Sequence, residues 1–114
     1  MEFETLRQFC LSLPGVTEEV QWEDHLLFKV GGKMFCITDL DYTGQVAFKV
    51  PDEDFDELSE APGFIAAPHL ARARWVKLVE PAQIKQIQIK EHIQTSYELV
   101  KAKLPKKLQR ELSS

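Results

Sequence analysis

HLLFKVGGKMFCITDLD, residues 25–41, holds two apolar runs separated by Gly31-Gly32. Two glycines accept the positive φ of the primed turns, whose twist matches that of the flanking strands, so the stretch reads as a β-hairpin with a two-residue loop. Such a loop sets Val30 opposite Lys33, Phe28 opposite Phe35 and Leu26 opposite Ile37. Side chains alternate along a strand, so these six share one face, and five of them are apolar. His25, Leu27, Lys29, Met34, Cys36 and Thr38 form the other, more mixed face. A third strand, QVAFKV (45–50), follows the turn Asp41-Tyr42-Thr43-Gly44. A four-residue loop there sets Ile37 opposite Phe48 and Phe35 opposite Val50, again on the apolar face. Both turns therefore predict one antiparallel meander with a single core face.

Helices are expected on either side of it. Phe3, Leu6, Phe9, Cys10 and Leu13 recur at three- and four-residue steps, giving an apolar stripe over 3–13 that Pro14-Gly15 ends. Residues 16–24, VTEEVQWED, read as a polar connection, although Val20 and Trp22 alternate and could extend the first strand. After the meander, DEDFDELSE (52–60) has carboxylates in its first turn, where they complement a helix dipole. Phe64 to Pro68 is short and extended, WVKLV (75–79) is an apolar strand, and residues 83–103 form a long helix striped by Ile89, Ile93, Tyr97 and Val100. Pro105 ends it, and about 105–114 reads as a basic, frayed tail. The order α-β-β-β-α-β-β-α, with two amphipathic helices and one apolar sheet face, predicts an α+β fold. Its cheapest form is a two-layer α/β sandwich with an antiparallel sheet. Phe28, Phe35, Ile37, Phe48, Leu6, Phe9, Ile93, Tyr97 and Val100 are the expected core.

At 114 residues the chain is one domain by size, 1–114. No apolar run approaches the roughly 20 residues that span a bilayer, and the start, MEFETLRQ, lacks the basic and apolar regions of a signal peptide. A cytoplasmic protein with no membrane partner is expected. Cys10 and Cys36 sit in apolar patterns without metal spacing, as buried free thiols of a reducing compartment do. Charge is divided unevenly. Residues 1–68 carry fourteen acids against four bases, and residues 69–114 four acids against ten bases. A basic part on an acidic body fits either a nucleic-acid footprint or two oppositely charged segments folded together.

Five pieces in this order and spacing resemble the MmcQ/YjbR family of small bacterial proteins: LPGVTEEVQW (13–22), LLFKVGGKMFCITDL (26–40), VAFKVP (46–51), APGFIAAPHLARARWVKL (61–78) and SYELVKAKLPKK (96–107). The resemblance covers nearly the whole chain. It implies the α-β(3)-α-β(2)-α fold shared with type III secretion chaperones, which agrees with the order read from the residues. Members are commonly labelled DNA-binding, through a proposed double-wing motif. The family supplies no catalytic set to carry onto this chain, and the acidic first 68 residues sit badly with DNA binding by that half.

Catalytic chemistry finds little support. His25, His69 and His92 form no metal-spaced pair, and the alternating Asp52, Asp54 and Asp56 lack the glycine and terminal glutamate of a calcium loop. Glycine-rich phosphate loops and the GxSxG elbow are missing. No enzyme activity, catalytic residue, metal or cofactor is expected. The best functional segment is PHLARARWVK (68–77). His69, Arg72, Arg74, Trp75 and Lys77 there suit phosphate contact and base stacking. Alternatively, Trp75 closes the core edge while the arginines pair with the acidic helix. Lys101, Lys103, Lys106 and Lys107 form a second basic group in the tail, and Lys29 and Lys49 lie on the meander. Two functions stay open. One is weak, salt-dependent DNA binding through the basic C-terminal part. The other is a protein-interaction module, chaperone-like or self-associating as a weak dimer, using the open sheet face (Leu27, Met34, Cys36, Ala47) or a strand edge. Lysines and arginines on one continuous surface favour the first; cations scattered among carboxylates favour the second.

Overall fold

A computed structural model describes residues 1–113. It is an α+β sandwich: α1 (Phe3–Ser12), β1 (Val16–Gln21), β2 (His25–Val30), β3 (Lys33–Asp39), β4 (Val46–Lys49), α2 (Phe55–Ser59), β5 (Phe64–Ala66), β6 (Trp75–Leu78), α3 (Gln86–Lys101) and α4 (Lys106–Ser113). The six strands form one sheet in the order β1-β2-β3-β4-β6-β5, every neighbour antiparallel. Helices α1 and α3 cover one face. Leu6, Cys10, Ile89, Ile93 and Tyr97 bury their stripes against Phe28, Phe35 and Phe48. Phe9 and Val100, expected in the core, are half-buried at its margin.

The hairpin keeps its glycine turn but not its expected register. Val30 faces Lys33 and Lys29 faces Met34, and then the register shifts, so that Phe28 faces Cys36 and Leu27 faces Ile37. Phe35 is the extra residue of a β-bulge. The correction carries into β4, where Cys36 faces Phe48 and Ile37 faces Ala47. The physical reason is packing. A bulge lets the adjacent residues Phe35 and Cys36 both enter the core, where each is fully buried. It also turns Ile37 to the opposite face beside Ala47 and Trp75. Strict alternation forbids the first and reverses the second.

Ser96 of α3 repairs the ladder where the bulge breaks it. The β3–β4 pairing ends at Cys36–Phe48, and the Ser96 hydroxyl stands at the next rung. It donates to the Phe35 carbonyl at 2.6 Å and accepts from the Lys49 N–H at 2.9 Å. Buried backbone groups need partners, and this side chain serves two of them.

Two segments differ from the sequence reading. VTEEVQ is a sheet strand of its own, paired with β2. Its Glu18 points to the helical side and receives Arg7 of α1 in a two-pronged ion pair, Nε–Oε1 at 2.9 Å and Nη2–Oε2 at 2.7 Å. That hydrogen bond, helped by the guanidinium charge, holds the Glu18 carboxyl below its usual 4.5. The expected frayed tail is helix α4, whose Leu108 and Leu112 pack on the core margin. A side chain on Gly15, at φ +75, would collide with Leu112 Cδ2, so α4 packs against the α1–β1 corner.

Candidate functional site

The second face of the sheet is only partly covered. The segment between β5 and β6 folds over it, anchored by Ala67 N–H donating to the Trp75 carbonyl at 3.0 Å. Two residues give that segment its shape from the left-handed region, His69 at φ 65 and Arg74 at φ 64. Ala67 and Leu70 seal Trp75 and Ala47 beneath them. Between this segment and the start of β2 a cleft of about 420 Å³ stays open. Its floor is Met34, Ile37 and Ala47, walled on one side by Ala67 and Leu70.

Polar groups stand at the cleft walls. His25 Nδ1 lies 2.6 Å from Asp39 Oδ1, a cross-strand pair set by the corrected register. A carboxylate only accepts, so the hydrogen sits on Nδ1. Trp22 meets the His25 ring edge-on at 5.8 Å and is 63% exposed. It sits in the β1–β2 turn, where Trp22 (φ 53) and Glu23 (φ 68) are both left-handed, at about 1–2 kcal/mol each for residues with a Cβ. Thr38, Gln45, His69 and Lys77 also line the cleft, and Lys77 has no carboxylate within 4.0 Å among the described residues.

The residues expected to contact nucleic acid do not gather on one surface. Trp75 is 4% exposed and cannot stack on a base. Lys29 pairs with Glu19 across the β1–β2 ladder. Arg74 reaches Asp52 at 3.6 Å and lies over the Phe55 ring at 5.3 Å, as expected of arginines folded against the acidic helix. Lys101 lies over Tyr97 on α3. His69 and Lys77 belong to the cleft. Arg72, Lys103, Lys106 and Lys107 are exposed. One small basic group does form. Lys49, bonded to the Ala73 carbonyl, has its ammonium pKa lowered by burial and then by the charges of Lys103 and Arg74, with Asp52 opposing.

Of the open-face residues expected to receive a partner, Met34 and Ala47 do line the cleft. Cys36 belongs to the core instead, and Leu27 is buried. Sequence reasoning missed the His25–Asp39 pair and Trp22. Pairing of residues 14 apart could be found only with the register, and the register depended on the bulge. Both cysteines are buried, and burial beside Cys10 raises the Cys36 thiol well above its usual value. No cluster of three or more potential metal-ligating His, Cys, Asp or Glu exists among the described residues. No described helix is long and apolar enough to cross a membrane.

Comparison with known proteins bears on the whole architecture. The family model YjbR matches residues 11–99, from the last turn of α1 to the last turn of α3. The chain belongs to the YjbR family. Among solved structures, the YjbR domain described here is similar to protein DR2400 of Deinococcus radiodurans, a DUF419-domain protein. The two share 28% identity at a TM-score of 0.86, over 96% of this chain and 86% of that one. A protein from Pseudomonas syringae shares the fold at 17% identity and a TM-score of 0.71, covering 87% of this chain and 98% of its own. No curated protein matches the chain.

Proposed function

We propose that this YjbR domain is a non-enzymatic binding module whose ligand lies in the cleft on the open face of the sheet. The observation that carries the reading is the cleft itself: about 420 Å³, apolar in its floor, with a few polar groups at its walls. That size and make-up are those of small-ligand sites. Left-handed Trp22 and His69 support it, because backbone strain in residues with a Cβ collects where a chain is shaped to bind. Binding is favoured over catalysis by the placement of the described hydroxyls and thiols. Both cysteines lie in the core, and the Thr38 hydroxyl is committed to the Gln45 carbonyl at 2.8 Å. Among the residues lining the cleft, the His25–Asp39 pair therefore finds no thiol and no uncommitted hydroxyl. The test is a fluorescence titration with 1-anilinonaphthalene-8-sulfonate, following the dye's own emission. One saturable site, abolished by Ala47→Leu in a protein that keeps its circular dichroism, is the expected result. Absence of saturation, or an Ala47→Leu protein that binds as before, would refute the reading.

DNA binding is the second reading, favoured by the charges of Lys103 and Arg74 acting on Lys49, although Asp52, the partner of Arg74, stands among them. With Arg72, Lys106 and Lys107 exposed nearby in sequence, roughly four phosphates neutralised would give a salt slope near −4. Replacing Arg72 and Arg74 together with alanine should flatten that slope by up to about two units, alike for every sequence. Anisotropy with a labelled duplex decides it; no binding at about 0.1 mM protein in about 50 mM salt eliminates this reading.

A further inference from the structure

We infer that the occupant of the cleft is a monoanionic amphiphile of about a dozen heavy atoms, a medium-chain carboxylate, with its charged end on Lys77. The inference rests on reading the cleft as the binding site. Its first support is size. At roughly 30 Å³ per water-sized group, 420 Å³ holds on the order of fourteen such groups. Its second is the floor. Met34, Ile37 and Ala47 offer no hydrogen-bonding side chain, so a polar body would be desolvated there without compensation.

The third support is charge. Lys77 is half-buried on the open face of β6, between Ala47 of β4 and Ile65 of β5. Asp39, the carboxylate among the lining residues, is already taken by His25 at 2.6 Å. Lys77 therefore lines the cleft with no carboxylate within 4.0 Å of its ammonium among the described residues, and a ligand can supply one. A neutral ligand that displaces its water leaves the charge uncompensated, and a cation meets it head-on. One lysine matches one negative charge. The forked arginine contacts typical of a phosphate site are missing from the cleft, since Arg74 is turned to Asp52 and Phe55.

The experiment compares decanoate, 1-decanol and decylammonium, titrated against the full chain with the emission of Trp22 and Trp75 together as readout. Decanoate should saturate one site, with decanol weaker by about tenfold or more, the worth of a charge-assisted contact. Lys77→Met should weaken decanoate by the same factor and leave decanol unchanged, while Lys77→Arg retains decanoate. The decanoate-to-decanol ratio in the unaltered protein stands as evidence even if Lys77→Met does not fold. Equal affinity for decanoate and decanol, or a preference for decylammonium, overturns the anion assignment while the binding cleft survives. Failure of all three, together with failure of the naphthalene sulfonate, overturns the cleft reading itself.

Discussion

Replacing Ser96 with alanine removes one hydroxyl and leaves two buried backbone groups without their partner. In the folded protein that hydroxyl is fully buried, 2.6 Å from the Phe35 carbonyl and 2.9 Å from the Lys49 nitrogen. Each backbone group left unsatisfied costs about 1–3 kcal/mol, so the expected loss for the two is roughly 2–6 kcal/mol. Serine and alanine differ by one atom, so loss of packing adds little. With a urea slope of about 1.5 kcal/mol per molar, a 3 kcal/mol loss moves the unfolding midpoint down by about 2 M. Ser12→Ala is the matched control. Its hydroxyl also donates to a backbone carbonyl, that of Phe9 at 2.6 Å, but on an exposed helix end where water takes over. That variant should stay within about 0.5 kcal/mol of the unaltered protein. A Ser96→Ala loss below about 1 kcal/mol would refute the reasoning, because it would mean that the bulged strand closes its own ladder or admits water.

Three further outcomes follow from the packing and the charges. Gly15→Ala combines a left-handed φ of +75 with a clash against Leu112, whereas Gly32→Ala, at φ +79, has nothing within 4 Å. Both should cost about 1–2 kcal/mol for backbone alone, Gly15→Ala more, and that excess should vanish in a double-mutant cycle with Leu112→Ala. Glu18 is held below 4.5 by the Arg7 hydrogen bond, so the unfolded chain takes up its proton first as pH falls. Its stabilisation is complete above 4.5 and is lost below it, and urea midpoints of Glu18→Gln should show a flatter acid limb. His92, stacked on Phe48 at 5.3 Å, is held below 6.5 by burial, against the opposing charges of Glu91 and Asp54. Its favourable contribution is full above 6.5 and declines as pH falls, so His92→Phe should remove that part of the pH dependence and keep the stacking; an unchanged profile would count against it.

The amino-acid sequence by itself determined the elements that local physics can specify. Gly31-Gly32 demanded a tight turn, the stripes of 3–13 and 83–103 demanded helices over an apolar face, and the pieces from 13 to 107 already resembled the family to which the chain belongs. Tertiary structure decided what depends on counting across elements. A bulge at Phe35 has no glycine or proline to announce it, because its reward, two neighbouring side chains in the core, is collected only when α1 and α3 are in place. The candidate site follows from that one-residue shift. It brings His25 to Asp39 and turns Ile37 to the open face. The chain between β5 and β6 then folds back over Trp75 and leaves the cleft beside it. Side-chain alternation carries register only while the ladder is regular. Where a partner such as Ser96, 61 residues away, sustains an irregular rung, the information lies in the packing and not in the strand.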